Sequence, residues 1–173
     1  MAQINIDVAD KNKIVYEIPQ TNEVKEKEIK QVEYKENKDY YLIVNDEMGI
    51  ALTMDDNSYM GMMSISLLDF KNKIEKTTSK IIPFTNGKIK FPSSSTTGKI
   101  VYKDDTCDFD FETLNDKRVL KACMKNFVNN QDVEIHLVLT KEPEESIVIA
   151  TPFEKEKHFY YNQKINCMRA SGT

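Results

Sequence analysis

The chain has 173 residues, a formal net charge of −4 at pH 7, and 40% hydrophobic and 30% charged residues. This length allows one domain with a substantial core and is short for two. The mildly acidic balance argues against a nucleic-acid-binding protein, which usually presents a basic face. No segment has the pattern of a signal peptide or the apolar length of a membrane span, so the sequence predicts a cytoplasmic protein.

Alternation of apolar and polar residues with a period of two dominates the first half of the chain, and short turn signals interrupt it. Gly49 ends a polar turn between two apolar runs, which indicates a β-hairpin. Asn86 and Gly87 form a strong signal for a second hairpin. The strands of this half are predicted at residues 23–36, 40–45, 50–54, 59–70, 80–84 and 88–91.

The second half continues in the same way. Hairpins are predicted at Asp104–Asp105 and at Asn129–Asn130, where polar turn residues separate two apolar runs. The strands of this half are predicted at residues 100–103, 107–112, 118–127, 133–140, 147–153 and 158–168. Short strands joined by tight turns predict an all-β fold, an antiparallel lipocalin-like barrel or β-sandwich.

The strand predicted for residues 158–168 has two different faces. Its apolar face is formed by Phe159, Tyr161, Ile165 and Cys167. Its polar face is formed by Tyr160, Asn162, Lys164 and Asn166. Phenol, amide and ammonium groups in one row can orient the polar head of a ligand or bond to a neighbouring domain, although a solvated outer face has the same composition. These four residues are therefore candidates for a ligand site or a domain interface.

The sequence lacks a glycine-rich phosphate loop, a nucleophile elbow and the common metal-binding motifs, so we predict neither a cofactor nor a metal site. Three widely spaced cysteines, at 107, 123 and 167, argue against a disulfide framework and predict reduced thiols. The acidic stretch 104–112 lacks the glycine and the ligand spacing of a calcium loop. His136 falls opposite the apolar positions of its strand, which predicts an exposed residue.

Several blocks of this sequence resemble a bacterial family described as domain-of-unknown-function family 2804. The blocks are YYLIVND (40–46), ALT (51–53), DNSYMG (56–61), SISLLDF (64–70) and FYYNQKINCMRASG (159–172). The resemblance covers residues 30–173, while residues 1–29 match poorly. Because family members are about twice as long, it implies that 30–173 is the first of two β units of a longer protein. It implies no activity, and the two-unit plan is remotely similar to carotenoid hydratases and lipocalin-like lipid carriers.

Three functions remain open from the sequence. The first is a binding module for an apolar or amphipathic small molecule, with Asp56 and Tyr59 as further site candidates. The methionine-rich region at 54–63 could line a cavity for such a ligand, and ordinary core filling explains these methionines as well. The second is a hydratase-like enzyme for an isoprenoid-type substrate, with Asp56 or Asp69 as a proton donor whose pKa burial would raise. The third is a structural half that packs on a second β domain or on another copy. A cavity would favour binding, whereas a packed interior with an exposed apolar patch would favour the interface.

Overall fold

The structure is a computed structural model that describes residues 14–20, 23–29, 37–154 and 159–173. The secondary structure in these residues consists of β-strands without an α-helix, which confirms the predicted all-β class. No helix in this part of the chain is long and apolar enough to cross a membrane. The strands are β1 (Ile14–Gln20), β2 (Glu23–Ile29), β3 (Asn37–Val44), β4 (Met48–Asp56), β5 (Met60–Asp69), β6 (Ile74–Pro83), β7 (Gly98–Lys103), β8 (Cys107–Leu114), β9 (Lys117–Val128), β10 (Gln131–Thr140), β11 (Ile147–Pro152), β12 (Phe159–Lys164) and β13 (Arg169–Gly172).

Strands β3 to β6 form a four-stranded antiparallel sheet in sequence order. The hairpin predicted for residues 40–54 is confirmed as β3–β4. Its turn is closed by the Asn45 side chain, whose Oδ1 accepts hydrogen bonds from the Glu47 and Met48 amides at 2.9 and 2.8 Å. Such a bond from a side chain to its own turn is the usual reason for asparagine at this position.

Strands β7 to β10 and β13 form a five-stranded sheet in the order β13-β10-β9-β8-β7. Asn129 and Asn130 have φ values of 53° and 60°, and they join β9 to β10 as predicted. Asparagine tolerates this left-handed conformation better than most residues, which is why it marks tight hairpins. The predicted hairpin at Asp104 is also confirmed, and its Oδ1 accepts the Thr106 and Cys107 amides at 2.7 and 2.9 Å.

The apolar faces of the two sheets share one core. Tyr41 of β3 contacts Phe111 of β8 edge to face, with ring centroids 5.3 Å apart. Burial of each large apolar side chain contributes about 1.5–3 kcal/mol. The largest fully buried side chains are Phe109, Phe111, Leu52, Met54, Met63, Ile65, Ile100 and Leu120.

The hairpin predicted around Asn86 and Gly87 is wrong in part. Both residues have positive φ, so the turn is present, but residues 88–91 form no strand. Instead, the amides of Phe84 and Asn86 bond to carbonyls of Tyr59 and Ser58 at 2.8 and 2.9 Å. The chain after β6 therefore crosses the β4–β5 turn instead of returning along β6, because these long-range contacts outweigh the local turn chemistry.

The single strand predicted for residues 158–168 is also wrong in part, because only its first portion forms a strand. Strand β12 ends at Lys164, and the chain then turns through Cys167, whose φ is 64°, before β13 pairs with β10. Ile165 is only half-buried and Cys167 is exposed, so neither is a core residue. His158 and the side chains of Phe159 and Tyr161 lie outside the described residues.

Two further hairpins, β1–β2 and β11–β12, pair as two-stranded sheets of their own. The extended conformation predicted for 23–36 is confirmed for 23–29, and 30–36 lies outside the described residues. The described strands do not close into a barrel, because each sheet ends in strands with one paired neighbour.

Candidate functional site

The outer face of the four-stranded sheet has apolar side chains and small hydroxyl-bearing side chains in its centre, without charges, and we call it the apolar sheet face. Its residues are Tyr40, Leu42 and Val44 of β3, Ala51 and Thr53 of β4, Met62, Ser64, Ser66 and Leu68 of β5, and Thr77, Ser79 and Ile81 of β6. The three β3 side chains form a ridge in which Tyr40, Leu42 and Val44 are 55%, 51% and 57% exposed. Beside this ridge, the small side chains of Ala51, Thr53 and Ser64 form a trough, and these three residues are buried.

Four hydroxyl groups of the apolar sheet face bond to one another in pairs. Ser64 Oγ lies 2.9 Å from Ser79 Oγ, and Thr77 Oγ1 donates to Ser66 Oγ at 2.7 Å. Because these groups are paired within the sheet, the trough can contact apolar atoms with little loss of hydrogen bonding. Charged residues lie toward the ends of this face and not in its centre.

The outer face of the five-stranded sheet has the opposite character. Lys103 pairs with Asp108, and Lys99 Nζ lies 2.8 Å from Asp110 Oδ2. A shallow depression of about 380 Å³ on this face is bordered by Asp108, Asp110, Lys121, Cys123, Glu134 and His136. His136 is exposed, as predicted. Among the residues that the structure describes, no group of three or more potential ligands is placed to share a metal ion.

Asp56 is buried at the end of β4 and holds the loop that follows β6. Its Oδ1 accepts hydrogen bonds from the Thr85 hydroxyl and, at 2.8 Å, from the Ser58 amide. Its Oδ2 is buried without a hydrogen-bond partner in the described part of the chain. Gly61 lies beside this contact, since a Cβ there would come within 2.7 Å of the Thr85 methyl group.

Arg118 of β9 is buried where the two sheets meet two loops. Its Nη1 donates to the Tyr41 hydroxyl at 3.4 Å, and its Nη2 donates to the Ser95 carbonyl at 3.2 Å and to Glu142 Oε2 at 3.1 Å. Its Nε is buried and has no partner within the described ranges. The guanidinium thus joins both sheets to the loops around Ser95 and Glu142.

The charges in this cluster are fixed near neutral pH. Burial raises the pKa of the Tyr41 phenol and the Asp39 charge raises it further, which outweighs the lowering effect of Arg118. Burial by itself would lower the pKa of Arg118, but Tyr41 and Glu142 raise it above its usual value. Tyr41 is therefore a neutral phenol and Arg118 a cation.

The residues that the sequence suggested as a site fall into two places. Tyr160, Asn162 and Lys164 share one face of the β11–β12 hairpin, and Asn162 Nδ2 donates to the Tyr160 hydroxyl at 3.1 Å. Asn166 is exposed beyond the end of β12, so it does not continue that row. The other two candidates, Asp56 and the exposed Tyr59, belong to the β4–β5 turn.

A family model described as a domain of unknown function, DUF2804, matches residues 17–173. The chain belongs to this family. The family predicted from the sequence blocks is thereby confirmed. No curated protein and no solved structure matches the chain.

The description of DUF2804 specifies no activity, so any function must be inferred from the geometry of the domain. Arg118 and the apolar sheet face were not identified from the sequence of this DUF2804 member. A signal for Arg118 was present, because it occupies the same phase of β9 as the buried Leu120, Ala122 and Met124. A cation in the apolar phase of a strand indicates a buried partner.

Proposed function

We propose that this domain is a structural unit whose apolar sheet face packs on the same face of a second copy of the domain. The observation that carries the proposal is the uncharged ridge and trough on the outside of the four-stranded sheet. The exposed apolar side chains of the ridge are contiguous, and a contiguous exposed apolar patch often marks an interaction surface. We further infer a two-layer β-sandwich, which is supported by two separate antiparallel sheets that share one core.

The shape of the face favours another β-sheet as the occupant. Facing sheets pack about 10 Å apart, with side chains of one entering the spaces of the other. The ridge of β3 is adjacent to a trough formed by Ala51, Thr53 and Ser64. A two-fold axis would place the ridge of each unit in the trough of the other, so a second domain of the same kind fits this surface.

Sedimentation velocity over a range of protein concentrations tests the proposal. We expect the wild-type chain to associate reversibly, since the second copy supplies a matching face. Leu42→Glu should abolish association, because it places a charge in the centre of the ridge. Val101→Glu is the matched control: Val101 is 48% exposed on the outer face of the other sheet, and Leu42 is 51% exposed. A monomeric wild type, or an equal loss of association in both variants, would refute the proposal.

The small-molecule and hydratase hypotheses have less support from the geometry. The pKa of Asp69 is lowered by hydrogen bonds from the Asn72 side chain and amide, which does not favour Asp69 as a proton donor. Asp56 is buried, as a proton donor would need. Its carboxylate accepts a hydrogen bond from Thr85, so its contact in the structure serves to hold the loop after β6. The hydratase role and the remote similarity to carotenoid hydratases stay predictions.

A further inference from the structure

We propose that the edge of Arg118 formed by Nε and Nη2 binds the carboxylate of a small organic acid. In this structure Glu142 accepts from one of these two donors, Nη2, and not from Nε. This site is separate from the apolar sheet face. The inference begins with the buried Nε, which has no hydrogen-bond partner in the described residues. A buried polar group without a partner is uncommon and calls for a specific explanation.

The guanidinium offers donors in a fixed planar fork, and a carboxylate normally takes two parallel donors from one edge. Nε and Nη2 lie side by side on one such edge. Glu142 accepts from Nη2 through Oε2 alone, at 3.1 Å, and leaves Nε unfilled. The carboxylate of a free ligand can orient itself to accept from both Nε and Nη2. Glu142, which is held in its loop, accepts only from Nη2.

Glu142 is suited to be displaced. It follows β10 directly after Lys141, whose φ of 57° turns the chain, and its side chain is 27% exposed, whereas that of Arg118 is 9% exposed. Glu142 can therefore turn toward water when another carboxylate replaces its bond, while Arg118 stays anchored by Tyr41 and Ser95. The chemistry of the occupant follows from Glu142 itself, since the site already accepts a carboxylate.

Calorimetric titration with hexanoate tests the site, with hexan-1-ol as the uncharged probe. Glu142→Ala should bind hexanoate about tenfold more tightly than wild type, because one competing charge-assisted bond is removed. Glu144→Ala, an exposed carboxylate in the same loop, is the matched control and should bind like wild type. Absence of hexanoate binding to a folded Glu142→Ala, or equal binding of hexan-1-ol, would overturn the proposal.

A second measurement does not depend on a variant of Arg118. The chain has two arginines, Arg118 and the exposed Arg169, so the Nε–H region of a ¹⁵N NMR spectrum contains two side-chain signals. Arg169→Lys removes one of them and assigns the other. We expect hexanoate to shift the Arg118 signal saturably and hexan-1-ol to leave it unchanged. An Arg118 signal that hexanoate does not move, while the protein remains folded, would show that Arg118 only links the sheets and loops.

Discussion

Replacement of Thr85 by valine should weaken the contact that holds the loop after β6. Thr85 is buried, and its hydroxyl donates to Asp56 and lies 3.1 Å from the Ser58 carbonyl oxygen. Valine has nearly the same shape, so the substitution removes the hydrogen bond and leaves little cavity. The carboxylate of Asp56 would then keep the Ser58 amide as its donor on Oδ1, while Oδ2 remains unpartnered.

The size of the effect follows from the charge of the acceptor and from burial. A hydrogen bond to a charged group contributes about 1.5–3 kcal/mol, and a buried acceptor that loses its donor is not compensated by water. We therefore expect Thr85→Val to lower the free energy of unfolding by about 2–3 kcal/mol. This is a large part of the 5–15 kcal/mol typical of a domain.

Urea denaturation followed by far-ultraviolet circular dichroism measures the change. Thr77→Val is the matched control, because Thr77 also donates a side-chain hydrogen bond, to Ser66, but at an exposed position. Its effect should stay within about 0.5 kcal/mol. If Thr85→Val changed the free energy of unfolding no more than Thr77→Val does, the bond to Asp56 would contribute nothing to stability and the reasoning would fail.

Three more predictions concern other parts of the domain. Burial alone would raise the pKa of Asp104, but hydrogen bonds from Thr106 and other donors lower it well below its usual value. A lowered pKa stabilises the fold at pH values above the unfolded pKa of about 3.9. Asp104→Asn should therefore lower the free energy of unfolding at pH 7 by about 1–2 kcal/mol. Urea melts at lower pH should show a smaller difference between the variant and the wild type. In thiol labelling of the native protein, the exposed Cys167 should react first and Cys107 last. Cys107 is buried, and burial raises the pKa of its thiol to about 11, so fast labelling of Cys107 would contradict its placement in the core. Gly61→Ala should raise the loop's amide exchange, because its Cβ would come within 2.7 Å of the Thr85 methyl group; unchanged exchange would argue against close packing at Gly61.

The secondary structure was predictable wherever local pattern decided it. The alternation in β8 placed Cys107, Phe109 and Phe111 in the core, and the pair Asn129–Asn130 marked the turn between β9 and β10. These features depend on residues that are neighbours within one strand or one hairpin, so they can be predicted from the local sequence pattern.

The same reasoning failed where distant contacts replaced local pairing. Residues 88–91 did not form a strand, because Thr85 bonds to Asp56, 29 positions earlier. The strand predicted for 158–168 was too long, because residues after Lys164 leave the hairpin to pair with β10.

The sequence by itself determined the all-β class, three of the four predicted hairpins and the inward faces of the core strands, because the pleat and the turn residues encode them locally. Only the tertiary structure decided which sheet face the described residues leave exposed and which polar groups meet. Arg118 and Tyr41 are 77 positions apart, and they come together only when the two sheets pack. The proposed carboxylate site lies at such a contact between sheets and loops, and no local period predicts it, because its geometry depends on how the whole chain closes around its core.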